Sequence, residues 1–193
     1  MESLRKSLVD NEVAKDVLDF TPSKSLNICF DDKLTLETNA TYTPTQVQNQ
    51  PKITYDAKDD EYYTLIKTDP DAPTRADPKF GEWRHYLVVN IPGNKVEQGD
   101  CLSPYIGCGP PPNTGLHRYI YILCKQPSKI HFKGELRCHL NADGRNNWKA
   151  AEFIKKWNLE PVACDFFQAE YDSYVPTLYQ TLSANQEKSV EIN

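Results

Sequence analysis

The sequence predicts a mainly β protein with a few peripheral helices, and three observations carry that prediction. Short segments rich in β-branched and aromatic residues recur along the chain. Rigid turn clusters such as Asp69-Pro70-Asp71-Ala72-Pro73 and Gly107-Cys108-Gly109-Pro110-Pro111-Pro112 interrupt them. Helical spacing is confined to the first twenty residues and to the region after Asp143.

In chain order, Val9, Val13 and Val17 recur at i, i+4 and i+8, which predicts a short amphipathic helix lying on the body of the protein. Leu26, Ile28 and Phe30 alternate with polar residues, as in a half-buried strand, and Tyr62 to Lys67 is rich in β-formers. Trp83 to Ile91 and Leu116 to Lys125 are longer and mostly apolar or aromatic, which predicts central strands. Ala150, Phe153, Ile154 and Trp157 share one helical face, with a helix start expected around Asp143 to Asn146. A final helix is expected near Pro176, capped by Asp172 or Ser173, with Val175, Leu178 and Leu182 on one side.

A length of 193 residues, 39% hydrophobic and 25% charged, suits one domain spanning residues 1–193. Twenty-two basic against 27 acidic residues give a net charge of −5, which argues against nucleic acid and against more than peripheral membrane contact. Met1 to Phe20 alternates charged and apolar residues with no apolar run, so no signal peptide is expected. Six scattered cysteines without a CxxC pair read as reduced thiols, and the expected location is cytoplasmic.

Side chains two apart on a strand share a face, so Trp83 points with His85, and His117 with Tyr119. Both histidines fall near strand starts, each behind a Pro/Gly-rich loop. If those starts lie together, the loops wall a pocket holding His85, His117, Tyr119, Asp69 and Asp71. Imidazole and phenol groups donate hydrogen bonds to an oxyanion, and Gly107 and Gly109 would add backbone N–H groups. The plainer alternatives stay open at this level: His85 and His117 as hydrogen-bonded core histidines, and Asp69 and Asp71 as turn-fixing residues beside prolines.

Asp69-Pro70-Asp71-Ala72-Pro73, then Gly81-Glu82-Trp83-Arg84-His85-Tyr86-Leu87-Val88-Val89-Asn90, then Gly107 to Pro111 with Gly115-Leu116-His117-Arg118-Tyr119, resemble the phosphatidylethanolamine-binding protein family in order and spacing. The closing Gln168-Ala169-Glu170-Tyr171, with Tyr174-Val175-Pro176 and Leu178-Tyr179, resembles its animal branch, which includes the Raf kinase inhibitor proteins. The resemblance implies a large central antiparallel sheet, a smaller second sheet, and an anion pocket at one end of the large sheet. It places that pocket on Asp69, Asp71, Pro73, His85, Gly109, Pro111, His117 and Tyr119, with Tyr179 as a lid. The chain departs from the family at Arg84, where another histidine is expected, and at Pro112.

The expected function is non-enzymatic binding of a phospholipid head group or other phosphate-type anion, without cofactor or metal, linked to kinase signalling. In that pocket Asp69 and Asp71 would orient His85 and His117 as donors. The alternative is a protein-interaction inhibitor of a serine protease or kinase in which lipid binding is incidental. A metal protein or enzyme built on the two histidines and a carboxylate is a further alternative; the resemblance implies no metal requirement, and no serine or cysteine in the motifs has a hydrolase nucleophile's setting.

Overall fold

The computed structural model describes residues 2–18, 22 and 24–191. Five antiparallel strands form the larger sheet: β4 (Tyr62–Asp69) at its centre, β5 (Trp83–Pro92) and β7 (His117–Lys125) on either side, β6 (Asp100–Ser103) and β8 (Glu160–Ala169) at the edges. A second sheet of β1 (Asn27–Phe30), β2 (Leu34–Thr35) and β3 (Lys52–Thr54) lies over one face. The expected pair of antiparallel sheets is therefore present.

Alternation along β7 explains why both faces of the larger sheet are dry. Tyr119, Tyr121 and Leu123 pack with Leu26, Ile28, Phe30 and Ile53 under the small sheet. Ile120, Ile122 and Cys124 face the other way, against Leu4, Leu8, Val13 and Phe153 from the helices α1 (Glu2–Asp10), α2 (Val13–Asp16) and α3 (Ala150–Lys156), and against Val17 just beyond α2. A third cluster joins Ile106 to Leu178 and Leu182 of α4 (Val175–Glu191), which closes one end of the sheet. No described helix is long and apolar enough to cross a membrane.

Two expectations need correction, and one strand was not expected. The N-terminal helix is broken at Asn11 and Glu12, where Glu12 adopts a left-handed φ of 59°, so Val9 is 58% exposed while Leu4, Leu8, Val13 and Val17 meet the sheet. The third helix starts at Ala150 rather than near Asp143 to Asn146. The reason is that the preceding amides are already spent: Asn147 N–H donates to Phe80 O and Trp148 N–H to Glu82 O. Finally, Glu160–Ala169 forms a full strand, which pairs with β7 from His117↔Ala169 to Lys125↔Glu160. Its apolar pattern is interrupted by Asp165, a buried carboxyl that burial pushes up to about 6 and that accepts from the Phe166 amide.

Candidate functional site

Because β4 runs antiparallel to both neighbours, its C-terminal end meets the N-terminal ends of β5 and β7. Asp69 closes β4 opposite Trp83, and His117 opens β7. The loops that follow β4 and precede β7 wall a cavity of ≈ 710 Å³, with α4 across its side. Its lining includes Asp69, Pro73, His85, Gly109, Pro111, His117, Tyr119 and Tyr179. Asp71 is not brought to the wall. Its carboxylate instead accepts from the Arg118 amide at 2.8 Å, from Nε at 2.9 Å and from Nη2 at 2.6 Å.

That buried pair is a strut. Arg118 extends from Asp71 to the Asn11 carbonyl at 2.6 Å and to Asp16 at 2.8 Å, so one guanidinium ties the loop after β4 to the N-terminal helices. Arg84, the departure from the family pattern, faces away from His85 as strand alternation requires. Its Nη2 donates to Cys138 Sγ at 2.7 Å and to Leu136 O at 3.1 Å.

His117 is built for charge. Nδ1 lies 2.9 Å from Asp69 Oδ2, and Nε2 lies 3.0 Å from Thr114 Oγ1. The Thr114 hydroxyl gives its single hydrogen to Pro111 O at 2.8 Å, so Nε2 must be the donor in that contact. A proton is therefore held between Nδ1 and Asp69 as well. Burial lowers the His117 pKa, but the hydrogen bond and charge of Asp69 outweigh it and leave it raised. Burial likewise raises Asp69 against the opposing His117, and the common result is a pair that keeps its proton. Asp69 Oδ1 accepts from the Asp71 amide at 2.7 Å, which fixes the carboxylate.

His85 has a different state, and the expectation that an aspartate orients it is corrected. Its Nδ1 faces the Ile106 carbonyl at 3.0 Å, an acceptor only, so Nδ1 carries the hydrogen and Nε2 keeps its lone pair. Burial, with the nearby Lys67 and Arg145 cations, holds its pKa well below the ordinary value. The ring packs 4.4 Å from Trp83 and edge-on to Tyr119 at 5.2 Å.

Tyr119 completes the set. It is fully buried, stacked between His117 at 6.5 Å and Phe167 at 5.4 Å. Its hydroxyl makes no hydrogen bond of standard geometry; the amide of Gly109 acts on it as a donor, which leaves the O–H hydrogen without an acceptor. Tyr179 covers the opening, its hydroxyl donating to Gly109 O at 2.7 Å. A β-carbon on Gly109 would stand 3.0 Å from Leu178 Cδ2, so glycine there lets α4 approach.

Sequence reasoning missed the segment 142–146, which lines the mouth with Asp143 and Gly144, and missed Thr114. The Asp143-Gly144 turn signal is present in the sequence, where it reads as part of a helix start. Arg145 shapes that segment by donating to the carbonyls of Asn141, Arg84, His85, Pro104 and His139. Among the described residues, no three His, Cys, Asp or Glu side chains are grouped to hold a metal ion.

A two-sheet β fold with a cavity of polar groups at one end of its larger sheet has the architecture of a small-ligand binding protein. A family model described as phosphatidylethanolamine-binding protein matches residues 26–167. A Drosophila melanogaster relative named "Putative odorant-binding protein A5" is 36% identical over 182 residues, covering 94% of this chain and 87% of its own. The structure titled "CG7054 solution structure" shares 38% identity at a TM-score of 0.69, over 88% of this chain and 97% of that one. A carboxypeptidase Y inhibitor, solved in complex with its cognate proteinase, matches in fold with a TM-score of 0.76 at 24% identity, over 89% and 96% of the two chains. The chain belongs to the phosphatidylethanolamine-binding protein family.

Proposed function

We propose that this protein binds phosphate-type anionic head groups, phosphoethanolamine among them, non-covalently in the cavity between β4, β5, β7 and α4. The observation that carries the reading is the Tyr119 hydroxyl, a buried donor whose hydrogen has no acceptor, beside His117, whose pKa its contact with Asp69 raises. Leaving such a donor unpaired costs about 1–3 kcal/mol, which an oxyanion in the cavity would recover. The anion would accept from Tyr119 and take over the His117 Nε2–H now given to Thr114. A phosphate monoester that retains one hydrogen would also donate to His85 Nε2.

A cavity of ≈ 710 Å³ has the size of a small-molecule site, so acyl chains of a lipid would remain outside. The ethanolamine ammonium would meet Asp143, an exposed carboxylate at the mouth that accepts from Gln186 at 2.9 Å. Asp143→Asn is expected to weaken phosphoethanolamine roughly two- to fivefold, the worth of an exposed ion pair, and to leave inorganic phosphate unchanged. Calorimetric titration of both ligands checks this; equal loss for both would remove Asp143 from ammonium recognition.

The same opening would admit a phosphorylated segment of a partner such as a kinase, in competition with the small anion. A second reading, an uncharged odorant-like ligand, is favoured by the apolar wall of Phe80, Ile106, Leu178 and Leu182 and by the name of the Drosophila relative. Such a ligand would bind with no dependence on the protonation of His117, which separates the two readings.

A further inference from the structure

Lys67 lies on β4 two residues before Asp69, so its side chain shares the sheet face that carries the cavity. It is fully buried, with Nζ 4.3, 5.4 and 5.8 Å from the ring centroids of Tyr105, Tyr119 and Tyr121. Nζ also lies 3.0 Å from Tyr105 Oη, 3.3 Å from Ile106 O and 3.9 Å from Cys108 Sγ. The Tyr105 hydroxyl gives its own hydrogen to Val47 O at 3.2 Å, so toward Lys67 it is an acceptor, as the Ile106 carbonyl must be. Two oxygen acceptors and three aromatic faces suit the N–H groups of an ammonium.

Among the described residues no carboxylate forms an ion pair with this ammonium, and Asp69 acts on it only at longer range. Burial pushes the Cys108 thiol up to about 12 and the phenols of Tyr105, Tyr119 and Tyr121 well above 10, so all four are neutral at neutral pH. Burial pulls the Lys67 pKa down against Cys108 and Asp69, and Asp69 is already held by His117 and the Asp71 amide. The Ile106 carbonyl that accepts from Lys67 is the one that accepts from His85 Nδ1. Lys67 is thus one shared acceptor away from the cavity histidine, and Arg145 is the other cation acting on that ring.

We infer that Lys67 is a positioning residue for the anion site, a fixed positive charge behind the cavity that attracts the ligand and, through the Ile106 carbonyl shared with His85, keeps His85 neutral with Nε2 turned toward the ligand. The inference rests on the anion reading above for its ligand, but its electrostatic half is testable without one.

The test titrates the His85 imidazole by NMR in the ligand-free native protein and in Lys67→Met, and measures inorganic phosphate affinity in both. Removing the cation should raise the His85 pKa by about one unit and weaken phosphate roughly tenfold at pH 7. An unchanged His85 titration in folded Lys67→Met would overturn the inference. Should that variant not fold, the Lys67 Cε and Nζ resonances of the native protein decide: an ammonium at pH 7 supports the inference and a neutral amine overturns it. If the native protein binds no phosphate, the anion reading falls, while the His85 titration in native protein and Lys67→Met still reports whether Lys67 holds His85 neutral.

Discussion

Arg118→Met is expected to lower the free energy of unfolding by about 3–5 kcal/mol, the cost of leaving a buried carboxylate without its partner. Asp71 is 1% exposed and directs both oxygens at Arg118, so no water reaches it to replace the guanidinium. The backbone amide of residue 118 still donates, which keeps the cost from being larger. Loss of the bonds to Asn11 O and Asp16 should also free the N-terminal helices, seen as faster amide exchange in α1 and α2. Asp71→Asn combined with Arg118→Met should recover part of the loss, because no unpaired charge remains. Denaturant unfolding measures each step. A single-variant loss below about 1 kcal/mol would show the pair to be a surface-like contact despite its burial.

The second large effect concerns His117. His117→Ala should weaken phosphate or sulfate about ten- to hundredfold, the worth of a hydrogen bond to a charged group. In the native protein the pH dependence follows from the raised pKa of His117. Affinity should be full at acidic pH and decline as pH rises through the folded value, which lies above the ordinary histidine value near 6.5. His85, held well below that range by burial and the neighbouring cations, contributes no transition there. Sulfate, whose charge is constant, reports the protein's titration alone. Asp69→Asn should move the decline to lower pH, since the imidazole loses the carboxylate that holds its proton. A sulfate affinity flat from pH 5 to 9 would remove His117 from the site.

The same linkage bears on stability. Because the folded pKa of His117 is raised, the Asp69 pair contributes its full stabilisation below the unfolded value and loses it as pH rises through the folded one. The native protein should therefore shed a small part of its stability on the alkaline side of neutrality, a step that Asp69→Asn lacks.

Much of this was legible in the residues. Long segments rich in apolar and aromatic residues marked β5 and β7 as central strands, and strand alternation alone put Trp83 with His85 and His117 with Tyr119 on one face. The positions that the family resemblance implied come together around one cavity, Asp71 excepted. Asp71 escaped because two aspartates flanking one proline look alike in sequence; which one turns to a histidine depends on where Arg118 points, and that follows from the N-terminal helices. The state of His85 was hidden for a similar reason, since its partner is a backbone carbonyl, which carries no sequence signal. Lys67 looked like an ordinary polar residue in a strand, and only the three tyrosines around it show the charge to be buried. β8 was obscured by Asp165, whose elevated pKa makes a carboxyl tolerable inside a strand.

The central claim, that the cavity at the end of the larger sheet takes a phosphate-type anion, is tested most directly by titrating phosphoethanolamine into the native protein and mapping amide and imidazole NMR shifts. The account predicts saturable changes centred on Gly109, His117, Tyr119 and the 142–146 segment. Saturable changes centred instead at the far end of the sheet, around Tyr63 and Lys125, or no saturable change at all, would contradict it.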